Sequence, residues 1–237
     1  MLDGALNSKA WESKPARLAI LISGKGSNCC AIARAIEEGL LKGCEVAVVV
    51  CNVPGAAGIE AARNMGLTVV TLEGRGREQR DHEEAIAALL RKFRVDLVCL
   101  AGYRRVLSAG FVREFRGRIL NIHASLLPAF AGQQPQRQAL EYGVRFTGCT
   151  VYFIDESVEG GAIITQRVVE VEDEDTVESL RDAVRAEEHI AYAEAISRVL
   201  SGDFEVRGRR YARRLATAES EAQPMEAGSS ESSQPPA

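Results

Sequence analysis

Short apolar runs alternate with amphipathic stretches over the first hundred residues. A continuous apolar run at 17–23 is followed by Gly24-Lys-Gly-Ser-Asn28 and then by Ile32, Ile36 and Leu40 at helical spacing, which predicts a strand, a Gly-rich turn and a helix. The alternation repeats with a strand at 45–50, a helix at 56–65, a strand at 68–72, a helix at 81–93 and a strand at 96–100. These strands lack a polar face, and buried strands separated by helices build a parallel sheet covered on both sides. The predicted class is α/β, with a doubly wound, mostly parallel sheet.

Beyond Gly102 the pattern changes to a short helix near Phe111, a strand at 118–121, and a loop of Leu, Pro, Gly and Gln residues at 126–135. An excursion of that length usually carries function. Two β-rich segments at 146–154 and 162–171 flank the turn Asp155-Glu-Ser-Val-Glu-Gly-Gly161, and a last helix covers 176–200. The predicted domain therefore spans 17–202, after an extension at 1–16 expected to be flexible. Residues 203–237 are expected to form a basic and then polar disordered tail. Within it, 207–214 holds five arginines in eight residues and reads as a solvated segment rather than an RNA contact.

Composition narrows the chemistry. With 29 Lys+Arg against 33 Asp+Glu, the formal net charge of −4 offers no global attraction for nucleic acid or an anionic membrane, so neither is expected as a partner. Six cysteines (Cys29, Cys30, Cys44, Cys51, Cys99, Cys149) lie in or beside apolar runs without a CxxC pair, which reads as reduced, buried thiols and no zinc site. The first sixteen residues hold no apolar block of signal-peptide length, and no stretch approaches the roughly 20 apolar residues of a membrane span. A cytoplasmic location is expected.

Two places carry candidate chemistry. Gly24 to Asn28, between strand and helix, can turn backbone N–H groups and a helix N-terminus toward a phosphate, although tight packing explains such a turn equally well. The turn lacks the third glycine of a dinucleotide fingerprint and the Lys-Ser/Thr ending of a P-loop, and the second strand ends in Cys51-Asn52 without an acidic tip, which favours a monophosphate over NAD or ATP. Of three histidines, His82 lies in a polar stretch and is expected on a helix surface, and His189 reads as structural. His123 stands at the carboxyl end of a predicted strand, where open α/β sheets place their ligands. It can exchange protons near neutral pH, and Asn121 on the same strand face can donate to an oxyanion. A core histidine beside a strand-ending Asn is the alternative.

Asn121-Ile-His-Ala-Ser-Leu-Leu-Pro128, Gly132, and an acidic residue before Gly160-Gly161 closely resemble the folate-dependent formyltransferase family. Ser23-Gly-Lys-Gly-Ser-Asn28, Leu100-Ala-Gly-Tyr-Arg-Arg-Val-Leu-Ser108 and Thr147-Gly-Cys-Thr-Val-Tyr-Phe153 resemble its branch that acts on glycinamide ribonucleotide in purine synthesis. The likeness covers 17–202 and implies a Rossmann-like formyltransferase fold. It implies 10-formyltetrahydrofolate as donor, the amine of glycinamide ribonucleotide as acceptor, no metal, and a monomer or homodimer.

Position by position, the resemblance implies that Gly26, Ser27 and Asn28 hold the substrate phosphate and that Glu188 approaches its ribose. Arg77, Arg104, Arg105, Val106, Leu107 and Asn121 would contact the folate, while Asn121 steadies the oxyanion and His123 moves protons. The family places an aspartate before the glycine pair to orient that histidine and raise its pKa. Here the position is Glu159, one methylene longer. Ala124 and Gln133-Gln-Pro-Gln136 are closer to the methionyl-tRNA branch of the family, which has no use for the phosphate turn. The alternatives are a 10-formyltetrahydrofolate hydrolase, a sugar-nucleotide formyltransferase, and a folate- or nucleotide-binding paralogue with weakened catalysis.

Overall fold

The computed structural model describes residues 14–155 and 161–214. The first strand, β1 (Ala16–Ile22), sorts its side chains by strict alternation. Leu18, Ile20 and Ile22 enter one buried cluster, and Ala19 and Leu21 enter a second on the opposite face. A strand buried on both faces is the reason the sequence reads there as an unbroken apolar run.

From β1 the chain runs through α1 (Ser27–Glu37), β2 (Cys44–Cys51), α2 (Ala57–Asn64), β3 (Val69–Thr71), α3 (Gln79–Lys92), β4 (Leu97–Leu100), α4 (Ala109–Glu114) and β5 (Ile119–His123). All pairings among these five strands are parallel. Ile32 of α1 and Ile59 of α2 lie in the cluster with Leu18, whereas Ile86 and Leu90 of α3 and Phe111 of α4 lie in the cluster with Leu21, giving helices on both faces.

The second half adds α5 (Pro135–Tyr142), β6 (Phe146–Phe153), β7 (Ile163–Glu170) and the 25-residue α6 (Val177–Ser201), followed by β8 (Phe204–Arg207) and β9 (Arg210–Arg213). β6 runs antiparallel to β5 and β7 antiparallel to β6. Among the described residues the order across the nine-stranded sheet is β3-β2-β1-β4-β5-β6-β7-β9-β8. The direction of winding reverses between β1 and β4, and open α/β sheets bind ligands at the carboxyl ends of strands beside such a switch.

Tyr192 fixes α6 across that edge. It is fully buried, and its hydroxyl donates to the carbonyls of Leu100, at 2.9 Å, and Leu120, at 3.2 Å. One turn before it, Glu188 is thereby held above the ends of β4 and β5.

Three features depart from the sequence pattern. Residues 135–142 form a helix, started by Pro135 and ended by Gly143 in a left-handed conformation. The sheet also continues past Gly202. The hairpin of β8 and β9 joins β7 through Ile163 and Arg210, and Tyr211 stacks on Phe204 while its edge meets Phe153. Part of the arginine-rich stretch expected in a disordered tail is therefore paired into the sheet, its arginines exposed as expected while Val206 and Tyr211 pack against the core. Lastly, β1 begins at Ala16, one residue inside the expected extension. Residues 1–13 and 215–237 lie outside the described residues.

Candidate active site

The turn after β1 is shaped by close backbone approach. Gly26 caps α1 in a left-handed conformation (φ 72°) with no side-chain cap, so the amides of the first turn are left for another partner. Gly58 of α2 donates to the Gly24 carbonyl at 2.9 Å, and a Cβ at position 58 would stand 2.6 Å from that oxygen. Ser23 ties the turn to its neighbours by donating to Asn52 Oδ1 at 2.6 Å and accepting from the Arg104 backbone N–H at 3.0 Å.

A cavity of about 520 Å3 opens beside this turn, at the carboxyl ends of β1, β4 and β5. Asn28, Arg104, His123 and Glu188 line it together. Asn28 Nδ2 donates to Glu188 at 2.9 Å, while Asn28 Oδ1 is buried without a partner among the described residues. Burial raises the Glu188 pKa above the usual carboxylate value; the Asn28 hydrogen bond and the charges of Arg185 and His123 oppose that shift. Arg181 and Arg185 also line the cavity. Sequence reasoning passed over both, although 181, 185 and 188 share one helical face.

His123 is set by the loop that follows it. Phe130 takes a left-handed backbone conformation (φ 51°), costly for an aromatic residue, and its carbonyl lies 3.0 Å from His123 Nε2. A carbonyl only accepts, so Nε2 carries the proton. The loop is pinned from beneath by Thr150, which donates to Ser125 O at 2.7 Å and accepts from the Leu127 N–H at 3.0 Å. Asn121 sits two residues before His123 and is not among the cavity-lining residues. Its Nδ2 donates to the Tyr152 hydroxyl on β6 at 2.8 Å.

The remaining candidates divide. Gly26 and Ser27 form the turn itself. Arg105 folds away from the cavity and donates to the Gly74 carbonyl, Arg77 is exposed beyond it, and Leu107 packs against the second core cluster. Val106 is 83% exposed. Glu159 lies outside the described residues. Gly161 has a steric reason to be glycine, since a Cβ there would stand 1.7 Å from the Phe153 carbonyl.

The expectation for His82 is overturned. It is 1% exposed, and its Nε2 lies 3.0 Å from the Tyr103 hydroxyl. His82, Ile86 and Leu90 share one stripe of α3, so the residue turns inward despite its polar neighbours. It belongs to a grip of α3 on segment 103–108. Gln79 donates to Val106 O at 3.0 Å, and buried Glu83 accepts from the Ser108 N–H at 2.8 Å and from the Ser108 hydroxyl. Burial and the charges of Arg105 and Arg77 lower the His82 pKa.

Among the described residues, five of the six cysteines are buried and all are free thiols. Among the described residues no group of three or more His, Cys, Asp or Glu is placed to hold a metal, and no described helix is long and apolar enough to cross a membrane.

Comparison with known proteins gives a consistent set of likenesses. The formyl transferase family pattern matches residues 16–196. The chain is 39% identical over 206 residues to the trifunctional purine biosynthetic protein adenosine-3 of Homo sapiens, covering 86% of this chain but 20% of that protein. It is 35% identical to the phosphoribosylglycinamide formyltransferase of Bacillus subtilis, covering 78% of this chain and 94% of the other. The crystal structure of glycinamide ribonucleotide transformylase 1 from Symbiobacterium toebii superposes with a TM-score of 0.81 at 43% identity, covering 84% of this chain and 94% of that one.

Proposed function

The chain belongs to the formyl transferase family, and from that premise we propose that it transfers the formyl group of 10-formyltetrahydrofolate to the primary amine of glycinamide ribonucleotide. The observation that carries this reading is the meeting of Asn28, Glu188 and His123 in one cavity beside the Gly24 turn. A phosphate and a ribose find complementary partners at one end of the cavity, which places an attached amine near the histidine. A hydrolase needs no such anchor for an acceptor.

On the donor side, segment 103–108 is the candidate folate support. It is held by α3, and exposed Val106 offers an apolar edge for a flat heterocycle to cover. The donor is a substrate, and it supplies the formyl group.

In this reading the amine attacks the formyl carbon and the carbonyl becomes an oxyanion. Asn121 Nδ2 has a second hydrogen beyond the one given to Tyr152, and donates it to that oxygen. His123, with Nε2–H held by the Phe130 carbonyl, exchanges protons at Nδ1, taking one from the attacking nitrogen and returning one to the leaving nitrogen of the folate. Glu159 retains the orienting role that the resemblance assigns to the acidic residue before the glycine pair.

His123→Ala is expected to lower kcat by about 10²–10⁴-fold and Asn121→Ala by about 10²–10³-fold. Mass spectrometry of formylglycinamide ribonucleotide made in single-turnover reactions measures both. Full-rate product formation by His123→Ala contradicts the mechanism.

A further inference from the structure

Arg104 falls within the segment that the resemblance assigns to the donor, yet its side chain faces elsewhere. Its backbone N–H is anchored on Ser23 Oγ at the end of β1, and its guanidinium lies against the Gly-rich turn: a Cβ on Gly24 would stand 3.8 Å from Arg104 Nη2. The side chain lines the cavity with Asn28, Arg181, Arg185 and Glu188. The adjacent Arg105 turns the other way, onto the Gly74 carbonyl. Neighbouring arginines therefore serve opposite sides of segment 103–108.

Charge in the cavity is unevenly compensated. Arg185 pairs with Asp182 at 2.5 Å, and Arg181 stands 3.7 Å from Glu178, each partner coming from α6 itself. Arg104 has no carboxylate within ion-pair distance among the described residues. Asn28, 7% exposed, keeps a buried Oδ1 unpartnered in the same wall, and Gly26 leaves the first-turn amides of α1 without a side-chain cap. An uncapped helix start beside an uncompensated guanidinium suits an anion. A buried open acceptor next to the Glu188 carboxylate suits the hydroxyl hydrogens of an attached sugar.

We propose that the Arg104 guanidinium is a ligand of the acceptor's phosphate, selecting a phosphorylated acceptor, and that it takes no part in holding the folate. This rests on the acceptor reading given above. The planar fork of arginine presents parallel N–H donors to phosphate oxygens, which complements the amides of the α1 turn on the other side of the anion.

Arg104→Met preserves the apolar stem and removes the fork. Steady-state kinetics are expected to show the KM for glycinamide ribonucleotide raised on the order of ten- to a hundredfold, as for loss of a charge-assisted hydrogen bond. The KM for 10-formyltetrahydrofolate and kcat should stay within about twofold, and Arg104→Lys should recover part of the acceptor affinity because it keeps the charge without the fork. Inorganic phosphate, competing with the acceptor, should inhibit the Met variant correspondingly less. A variant that loses donor affinity while keeping acceptor affinity overturns the proposal. Calorimetric titration with inorganic phosphate separates the two levels of the argument. Equal phosphate binding by parent and variant overturns the role of Arg104, whereas a parent without acceptor-dependent turnover overturns the acceptor reading itself.

Discussion

Glu188 is the residue whose environment most directly links binding to stability. Desolvation raises its pKa in the fold, with the Asn28 hydrogen bond and the charges of Arg185 and His123 opposing the shift. A carboxyl whose folded value exceeds its unfolded value stabilises the fold below the unfolded value, and that contribution is lost as pH rises through the folded value. Above the folded value the ionised carboxylate is therefore a net cost to folding. Glu188→Gln is expected to melt at or above the parent temperature at pH 7, with the difference shifting in favour of the parent as pH falls toward 4. The same variant should raise the acceptor KM, because a ribose hydroxyl loses a charged acceptor. Scanning calorimetry between pH 4 and 7.5 checks the first effect, and a difference that grows in favour of the Gln variant on acidification contradicts it. His82 teaches a different lesson at this scale. Its polar neighbours suggest exposure, but its four-residue spacing to Ile86 and again to Leu90 fixes its direction, so periodicity outranks local composition there.

At the scale of elements, the turn between β1 and α1 depends on α2. Gly58 approaches the Gly24 carbonyl so closely that a Cβ would stand 2.6 Å from that oxygen and 2.9 Å from Ile22 Cδ1. Gly58→Ala must push α2 away from the turn. An overpacking cost of about 1–3 kcal/mol is expected in chemical denaturation, together with a rise in acceptor KM larger than that in donor KM. Unchanged stability and affinity contradict this account. The strands β1, β2 and β4 and helices α1 and α3 are legible in the sequence because burial on both sheet faces, or on one helical stripe, leaves a periodic trace. The short α5 leaves little trace beyond Pro135 and Gly143. The β8–β9 hairpin is hidden because Arg207, Arg209, Arg210, Arg213 and Arg214 dominate its composition, while its apolar positions are few and only partly buried. At the site, the motif around His123 is legible, and so is the Gly24 turn. The divergence of Arg104 from Arg105 is not, since adjacent identical residues carry no sign of which way each side chain turns.

For the whole molecule, the switch between β1 and β4 gathers the turn, the histidine strand and α6 at one edge of the sheet, and the hairpin at the far end closes the other side of α6. Arg198 reaches from α6 over the Phe204 ring, with Cζ 5.9 Å from its centroid, and Tyr211 covers Phe153. Ending the chain at Gly202 removes Phe204 and Tyr211, which should expose Phe153 and lower the melting temperature by about 4–8 °C, the shift that corresponds to a loss of about 2 kcal/mol at this size. An unchanged melting temperature shows the hairpin to be dispensable. The central claim, that this fold joins a folate donor to a phosphorylated amine, is tested most directly by following 10-formyltetrahydrofolate consumption by the purified protein with and without glycinamide ribonucleotide. The account predicts consumption that requires the acceptor and matches formylated product one to one. Consumption at the same rate without the acceptor, as a hydrolase would give, or donor binding with no consumption at all, contradicts it.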